Sequence, residues 1–391
     1  MMTLSLDRPS VLMVAGQWYP SPDDGVAGIF VRRHAEAARL VADVAALHVT
    51  TTKRDDASTS GFLFQEEEGI LTARVRMKPP MGGLAATQLA LWIGSRDGAR
   101  EVVRQWQRPE IVHLNVAPAL GAWTGLRRRL PGTPYVYSEH WSGLLPGRSE
   151  TLGKLKRRYL RRLVRGAAAV TTPSVQLRRG MEAIGLRGRY ELLPNAVDTE
   201  LFVPGEQRRD GPVRFLHVSR LDANKNPQTI VAATALLVLR GFDVRLDVWG
   251  DGPALPEARA LAAEYEMGPD RVAFYGPGAP QQIALAMRSA DVLVLASGYE
   301  NAPTVVGEAM ASGLPIIAPA VGGIPELVGA TRGLLFEPTG GTDALAAAMA
   351  AFAAARGHWD PAEIRRHAER TFSLRAVSRQ LQRLYETARR S

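Results

Sequence analysis

Residues 297–328 read SGYENAPTVVGEAMASGLPIIAPAVGGIPELV, and their punctuation decides the fold. Pro303 suits the first turn of a helix, where a missing N–H costs nothing. The run Thr304 to Ser312 is then helical, with Gly313 as a left-handed C-cap and Pro315 just beyond it. Leu314 to Ala318 is a short apolar run, the pattern of a buried strand in a parallel sheet. Gly322-Gly323-Ile324-Pro325-Glu326 opens a second helix. Two helix N-termini are therefore expected at the carboxyl edge of one sheet. Such ends hold anions through free N–H groups and the helix dipole, and a diphosphate is a natural guest. Glu300 falls in the loop before the first helix and Glu308 on it. A diphosphate repels carboxylates, so these two are read as acceptors of hydrogen bonds from ribose or sugar hydroxyls. The Glu-x7-Glu spacing alone is weak, since roughly one such pair per chain arises by chance. A capped helix with two solvated glutamates is the competing reading.

The same alternation extends in both directions. Strands are predicted at Ser10–Ala15, Val44–Val49, Leu71–Met77, Ile111–Asn115, Pro134–Ser138, Ala167–Thr172 and Tyr190–Leu193. They resume at Val213–Ser219, Val244–Gly250, Val272–Tyr275, Asp291–Leu295 and Leu314–Ala318, with helices between. The polar, Pro- and Gly-bearing stretch 203–212 reads as the linker. Two doubly wound α/β domains follow, 1–205 and 206–370, facing across a cleft with ligands at the carboxyl ends of their strands. Pro361 to Arg390 reads as one or two basic helices, and 371–391 is expected to pack back on the first domain.

The chain has 391 residues, 46% of them hydrophobic, which is enough for two packed cores. No apolar run approaches the roughly 18 residues of a membrane span. The start, MMTLSLDRPSVLMVAGQWYP, lacks a basic n-region and is read as a first strand. Zero cysteines exclude disulfides and thiolate metal sites. Net charge is +9, and residues 1–208 carry all of it, with 29 Lys and Arg against 20 Asp and Glu. Much of the excess lies in GKLKRRYLRRLVRG, with Lys154, Lys156, Arg157, Arg158, Arg161, Arg162 and Arg165. Leu152, Leu155, Tyr159, Leu163 and Val164 recur there at helical spacing, so this is an amphipathic helix with a basic face. That face is either simply solvated or touches an anionic membrane surface or a phosphate-bearing acceptor. Nucleic acid is not expected, because aromatic residues do not interleave with the charges.

Other constellations sit at predicted strand ends. Arg220 and Lys225, in RLDANKNP after the strand VRFLHVS, can neutralise a diphosphate and the charge that grows on it as a leaving group. Gly250-Asp251-Gly252-Pro253 gives a tight turn. Near the start, Gly16-Gln17-Trp18-Tyr19-Pro20 ends a strand, and Asp24-Gly25-Val26-Ala27-Gly28 opens a helix that carries His34. A glycine loop there lets a ligand approach the backbone, although it is not a dinucleotide GxGxxG. His140, in Ser138-Glu139-His140-Trp141, can orient or polarise a substrate. No spacing of a metal site is visible, so no cofactor and no metal are expected, and cations take the place of a divalent ion.

Taken in order, GIFVRRHAEA, SEHW, VTTPS, LPNAVDTELF, VSRLDANKN, WGDGP and the Glu-x7-Glu block make the chain resemble the family-four glycosyltransferases over nearly its whole length. The resemblance implies the GT-B fold, α/β with two Rossmann-like domains, and a C-terminal helix that crosses back to the first. It implies retaining transfer of a sugar from a nucleotide-diphospho-sugar, such as a UDP- or GDP-sugar, without a metal. Residue by residue, Arg220 and Lys225 match the diphosphate ligands, Glu308 the ribose ligand and Glu300 the carboxylate beside the donor sugar. His140 matches the N-domain histidine near the sugar's C6 region, and Gly28 the second glycine of a donor-facing pair. Gly276 and Thr304 are placed with the donor-binding residues. Two positions depart from the pattern: Ala27 stands at the first glycine, and Asn301-Ala302-Pro303 replaces Gly-Phe-Gly, so Pro303 offers no N–H.

The functional expectation is a cytoplasmic, metal-independent hexosyl- or related transferase of bacterial polysaccharide or glycolipid synthesis, at the inner face of the membrane. Its partners are a nucleotide-sugar donor, a saccharide or lipid-linked acceptor, and an anionic membrane met through 154–165. With no second carboxylate placed as a nucleophile, same-face attack is preferred to double displacement. The alternatives are a GT-B nucleotide-sugar epimerase, which consumes no acceptor, and a non-catalytic anion- or membrane-binding protein.

Overall fold

The computed structural model describes residues 8–16, 18–21, 25, 27–52, 60–206 and 210–391. Gln17, Asp24 and Val26 of the first glycine-bearing loop lie outside them, as do 207–209 of the expected linker. Two compact units form, Met1–Ala196 with Leu374–Ser391, and Val197–Ser373.

The first unit is built on eight strands: β1 (Ser10–Val14), β2 (Asp43–Thr51), β3 (Gly61–Glu67), β4 (Ile70–Met77), β5 (Ile111–Asn115), β6 (Tyr135–Ser138), β7 (Ala169–Thr172) and β8 (Tyr190–Leu192). Their order is β3-β4-β2-β1-β5-β6-β7-β8. All pair in parallel except β3, which runs antiparallel to β4. Around the sheet run α1 (Ile29–Arg39), α2 (Leu84–Gln105), α3 (Leu120–Arg129), α4 (Lys154–Gly166) and α5 (Val175–Ala183). The strands read as continuous apolar runs because both faces are covered. Leu12, Leu47 and Leu114 enter one core layer, and Val11, Met13 and Ala46 the other.

The second unit holds β9 (Val213–Val218), β10 (Val244–Trp249), β11 (Val272–Gly276), β12 (Val292–Val294), β13 (Ile316–Pro319) and β14 (Gly333–Phe336). All are parallel, in the order β11-β10-β9-β12-β13-β14. The helices are α6 (Pro227–Leu239), α7 (Leu255–Glu264), α8 (Pro280–Ser289), α9 (Thr304–Ala311), α10 (Ile324–Val328), α11 (Gly341–Ala354) and α12 (Pro361–Phe372). The chain then returns to the first unit as α13 (Leu374–Arg389). The α13 residues Val377, Leu381, Leu384 and Tyr385 pack in one core layer with Val31 and Ala35 of α1.

Several details differ from the sequence reading. The units divide between Ala196 and Val197, not at 205/206, and again after Ser373. Val197 and Phe202 already belong to a core of the second unit, and the Val197 N–H donates to the Phe372 carbonyl at 2.8 Å. Gly205 marks a close approach there, since a Cβ on it would lie 1.9 Å from the Arg288 carbonyl oxygen. Strands β3 and β14 were not anticipated. Much of β3 is exposed, so it shows no apolar alternation. In α4, Leu160, Leu163 and Val164 are buried, but Leu155 is 85% exposed and does not join the buried face. Pro303 is the residue before α9 and not part of its first turn. The helix opened at Gly322 has only five residues, so of the two helix starts expected from residues 297–328 only α9, with eight residues, offers an N-terminus of useful length.

Candidate active site

In the second unit, chain connections run from β9 outward to β11, then reverse and run from β12 to β14. The reversal leaves a crevice outside the carboxyl ends of β9 and β12, the usual ligand position in such sheets. The loop after β9 (219–226) and the loop after β12 (295–303) both start there.

These loops are stapled together. The Asn224 side-chain amide donates to the Tyr299 carbonyl at 3.1 Å, and its oxygen accepts the Tyr299 N–H at 3.1 Å. The Gly298 N–H donates to the Asn224 carbonyl, and the Asn226 amide to the Ala296 carbonyl at 3.1 Å. Asn226 takes a left-handed conformation, φ 47°, as the cap of α6, with Pro227 at the first helical position. Asp222 Oδ1 accepts the N–H groups of Asn224 and Lys225, which closes the turn. The result brings Lys225 against Glu300 in an ion pair. Glu300 is only 8% exposed, and its carbonyl accepts the Gly323 N–H, tying in the start of α10.

Arg220 is exposed just beyond the carboxyl end of β9, two residues past Val218. Thr304 and Glu308 are four apart on α9, hence on one helix face, and both are partly exposed. The predicted residues Arg220, Lys225, Glu300, Thr304 and Glu308 therefore come from loops and a helix that begin at the same pair of strand ends. Gly276 does not join them so closely: it ends the edge strand β11, two strands from β9, with φ 76°. Gly250 and Gly252 have an identifiable reason to be glycine. A Cβ on Gly250 would lie 1.8 Å from the Ser219 carbonyl oxygen, and one on Gly252 2.4 Å from that of Leu221. The turn after β10 thus presses on the Arg220 loop. A cavity of about 280 Å³, lined by Asp291, Pro315 and Trp359 among others, opens instead at the amino ends of β12 and β13.

In the first unit, His140 follows β6 and Gly28 precedes α1. They share one end of the sheet, because α1 carries Phe30 and His34 against the His140 ring at centroid distances of 4.4 and 5.5 Å. Burial, aided by the nearby His34 and His113, holds the His140 pKa well below the usual imidazole value, so the ring is neutral. Burial also lowers the His34 pKa, to about 4. His34 Nε2–H donates to the Pro194 carbonyl at 2.9 Å, a structural role. Gly28, at φ 70°, lies under the main chain of Trp18, and a Cβ would sit 2.2 Å from the Trp18 carbonyl carbon. Glu139 carries the His140 loop. Its carboxylate is 1% exposed and accepts the N–H groups of His140 and Trp141 at 2.7 and 2.8 Å. It also accepts the Tyr137 hydroxyl. Burial raises the Glu139 pKa, and these hydrogen bonds oppose the rise.

The sequence reading missed the fastening residues Asn224, Asn226 and Asp222, and also Glu139. Asn226-Pro227 carries a helix-start signal, but nothing local announces contacts between loops 75 residues apart.

Comparison with known proteins fits this arrangement. The family described as Glycosyl transferases group 1 matches residues 198–368, and Glycosyl transferase 4-like domain matches 7–196. The chain belongs to the family-four GT-B glycosyltransferases. The D-inositol 3-phosphate glycosyltransferase of Corynebacterium glutamicum is 34% identical to this glycosyltransferase over 227 residues, covering 51% of this chain and 52% of that one. The chain spans about half the length, or less, of the first curated relatives it matches. Sucrose-phosphate synthase from Thermosynechococcus elongatus superposes with a TM-score of 0.72 at 23% identity, over 97% of this chain and 98% of that one. Anabaena HepE in complex with UDP and glucose gives 0.71 at 18% identity, over 97% and 100%. These likenesses show the GT-B fold, with its two Rossmann-like domains.

Proposed function

We propose that this glycosyltransferase moves a sugar from a nucleotide-diphospho-sugar to an acceptor hydroxyl with retention of configuration. The observation that carries the reading is the stapled pair of loops at the topological reversal of the second unit, which places Lys225 and Glu300 together beside Arg220 and α9. Lys225 and Arg220 attract the diphosphate, and the α9 N-terminus adds its dipole. Glu308 accepts ribose hydroxyls. Glu300 accepts from the donor sugar once the diphosphate competes for Lys225. His140, neutral and packed on Phe30, serves as an uncharged hydrogen-bonding group toward the sugar. Support for a nucleotide-sugar donor comes from HepE, which was solved with UDP and glucose.

In this reading the acceptor oxygen bonds to the anomeric carbon as the carbon–phosphate-oxygen bond breaks, both on one face. The acceptor's proton passes to the departing diphosphate oxygen. Positioning and fixed positive charge lower the barrier. The cations supply the countercharge, so turnover is expected to persist in EDTA. Acceptor-dependent release of nucleoside diphosphate, with NMR of the product's anomeric configuration, tests the proposal. Release without acceptor consumption, or an inverted product, refutes it.

For the acceptor side we propose a saccharide or lipid-linked hydroxyl of polysaccharide or glycolipid synthesis, met at an anionic membrane surface on the cytoplasmic side. No helix among the described residues is long and apolar enough to cross a membrane. The exposed cations of α4 lie beside the exposed Leu155, and Lys156 sits over the Trp141 ring at 4.1 Å. Such a face combines charge attraction with apolar insertion.

A further inference from the structure

A buried imidazole lies directly behind the Arg220 loop. His217 of β9 is fully buried. Its Nδ1 is 2.9 Å from the Val294 carbonyl of β12, and its Nε2 is 2.7 Å from Ser219 Oγ. A carbonyl only accepts, so Nδ1 must carry the hydrogen. Burial, helped by the charge of Lys225, lowers the ring's pKa to about 4, so Nε2 carries no proton at working pH. Nε2 can then only accept, and the Ser219 hydroxyl must donate inward. Its proton is committed, and the oxygen presents lone pairs alone to its surroundings. Ser219 is partly exposed at the carboxyl end of β9, immediately before Arg220.

We propose that Ser219 is a donor-recognition residue whose hydroxyl, locked by His217, accepts a hydrogen bond from a hydroxyl of the transferred sugar. The inference rests on the donor-site reading above and deepens it. Phosphate oxygens are excluded as partners, because lone pair would face lone pair. Lys225 is taken by Glu300 before the donor binds and by the diphosphate once it has bound. The ribose is assigned to Glu308 on α9, across β12. A sugar hydroxyl is the remaining O–H group of the donor. The lock adds selectivity: a serine free to rotate could serve a phosphate or a hydroxyl, whereas this one serves only a hydrogen-bond donor.

Titration calorimetry of wild type and Ser219→Ala tests the idea, with UDP-glucose and GDP-mannose as first probes and UDP and GDP as their sugar-free controls. Ser219→Ala leaves the strand pairing of β9 untouched but strips the buried His217 Nε2 of its donor, so the variant should stay folded at 25 °C with its melting temperature lowered by roughly 2–12 °C. The Kd for the bound nucleotide sugar should rise roughly 2- to 12-fold, the worth of one neutral hydrogen bond, while the Kd for the nucleoside diphosphate stays the same. One member of the series of monodeoxy sugar donors should bind both proteins equally. Equal weakening of nucleotide sugar and nucleoside diphosphate would overturn the inference by making Ser219 a phosphate ligand, and so would no weakening of either. Wild-type protein that binds none of the four probes would refute the donor site itself, and this inference with it.

Discussion

Lys225→Ala is the sharpest perturbation of the proposed site. It removes the ammonium and leaves the Glu300 carboxylate, with its side chain 10% exposed, without an ionic partner. The Lys225 side chain is 22% exposed, so the pair lies between a surface bridge and a buried one. Surface pairs are worth about 0–1 kcal/mol, and breaking a fully buried pair costs about 3–5 kcal/mol, so a loss of about 1–3 kcal/mol is expected. For a unit of this size that lowers Tm by roughly 2–12 °C. The Asn224 and Asn226 staples do not involve the lysine side chain, so the loops stay joined and the protein stays folded at 25 °C. Turnover should suffer far more. A fixed donor aimed at charge that grows in the transition state is worth about 10²- to 10³-fold in kcat. The assay is acceptor-dependent nucleoside diphosphate release, read beside scanning calorimetry on the same sample. A variant that melts cooperatively and retains kcat within threefold of wild type would refute the role given to Lys225. Lys225→Arg, which keeps the charge but changes its shape, should recover part of the loss.

Two further predictions concern the frame. Gly250→Ala forces a side chain into φ 132° and against the Ser219 carbonyl, so it should cost about 2–5 kcal/mol and lower Tm by at least several degrees; a Tm within 2 °C of wild type would contradict the packing described. Acid should destabilise the protein, because burial lowers the folded-state pKa of His34, His48 and His217 to about 4 and that of His113 to about 3. The unfolded chain takes up these protons first, near pH 6.5. The stability is therefore complete above that pH and is lost as pH falls toward 4, by about 1.4 kcal/mol per histidine per pH unit. Urea midpoints at pH 7.5 and 5 should show the decline, and equal midpoints would refute it.

Much of the frame was legible because it is repetitive. Short apolar runs separated by helical patterns gave most strands, and Gly313 at φ 72° ended α9 as its position in the sequence implied. The edge strand β3 escaped because half-solvated residues such as Phe62 and Leu63 carry no period-two signal. The linker escaped for a different reason. Pro and Gly at 203–212 looked like solvent-exposed punctuation, but Gly205 is there to let the chain lie on the end of α8. In α4 the spacing placed Leu155 on the apolar stripe, yet periodicity cannot tell where the neighbouring layer stops covering a helix.

The sequence by itself determined the class of the molecule: parallel α/β organisation, a helix start with carboxylates at Glu300 and Glu308, and cations at Arg220 and Lys225. These follow from local propensity and from motif order, both of which are written along the chain. The tertiary structure alone decided which of these groups meet. Lys225 pairs with Glu300 because β9 and β12 are neighbours and two asparagines fasten their loops. Glu139 became the anchor of the His140 loop because folding removed it from water and surrounded it with N–H and O–H donors. His217 fixed the direction of the Ser219 hydroxyl through a carbonyl 77 residues away. Hydrogen-bond direction and desolvation depend on what lies beside a group in space, and no spacing along the chain encodes that.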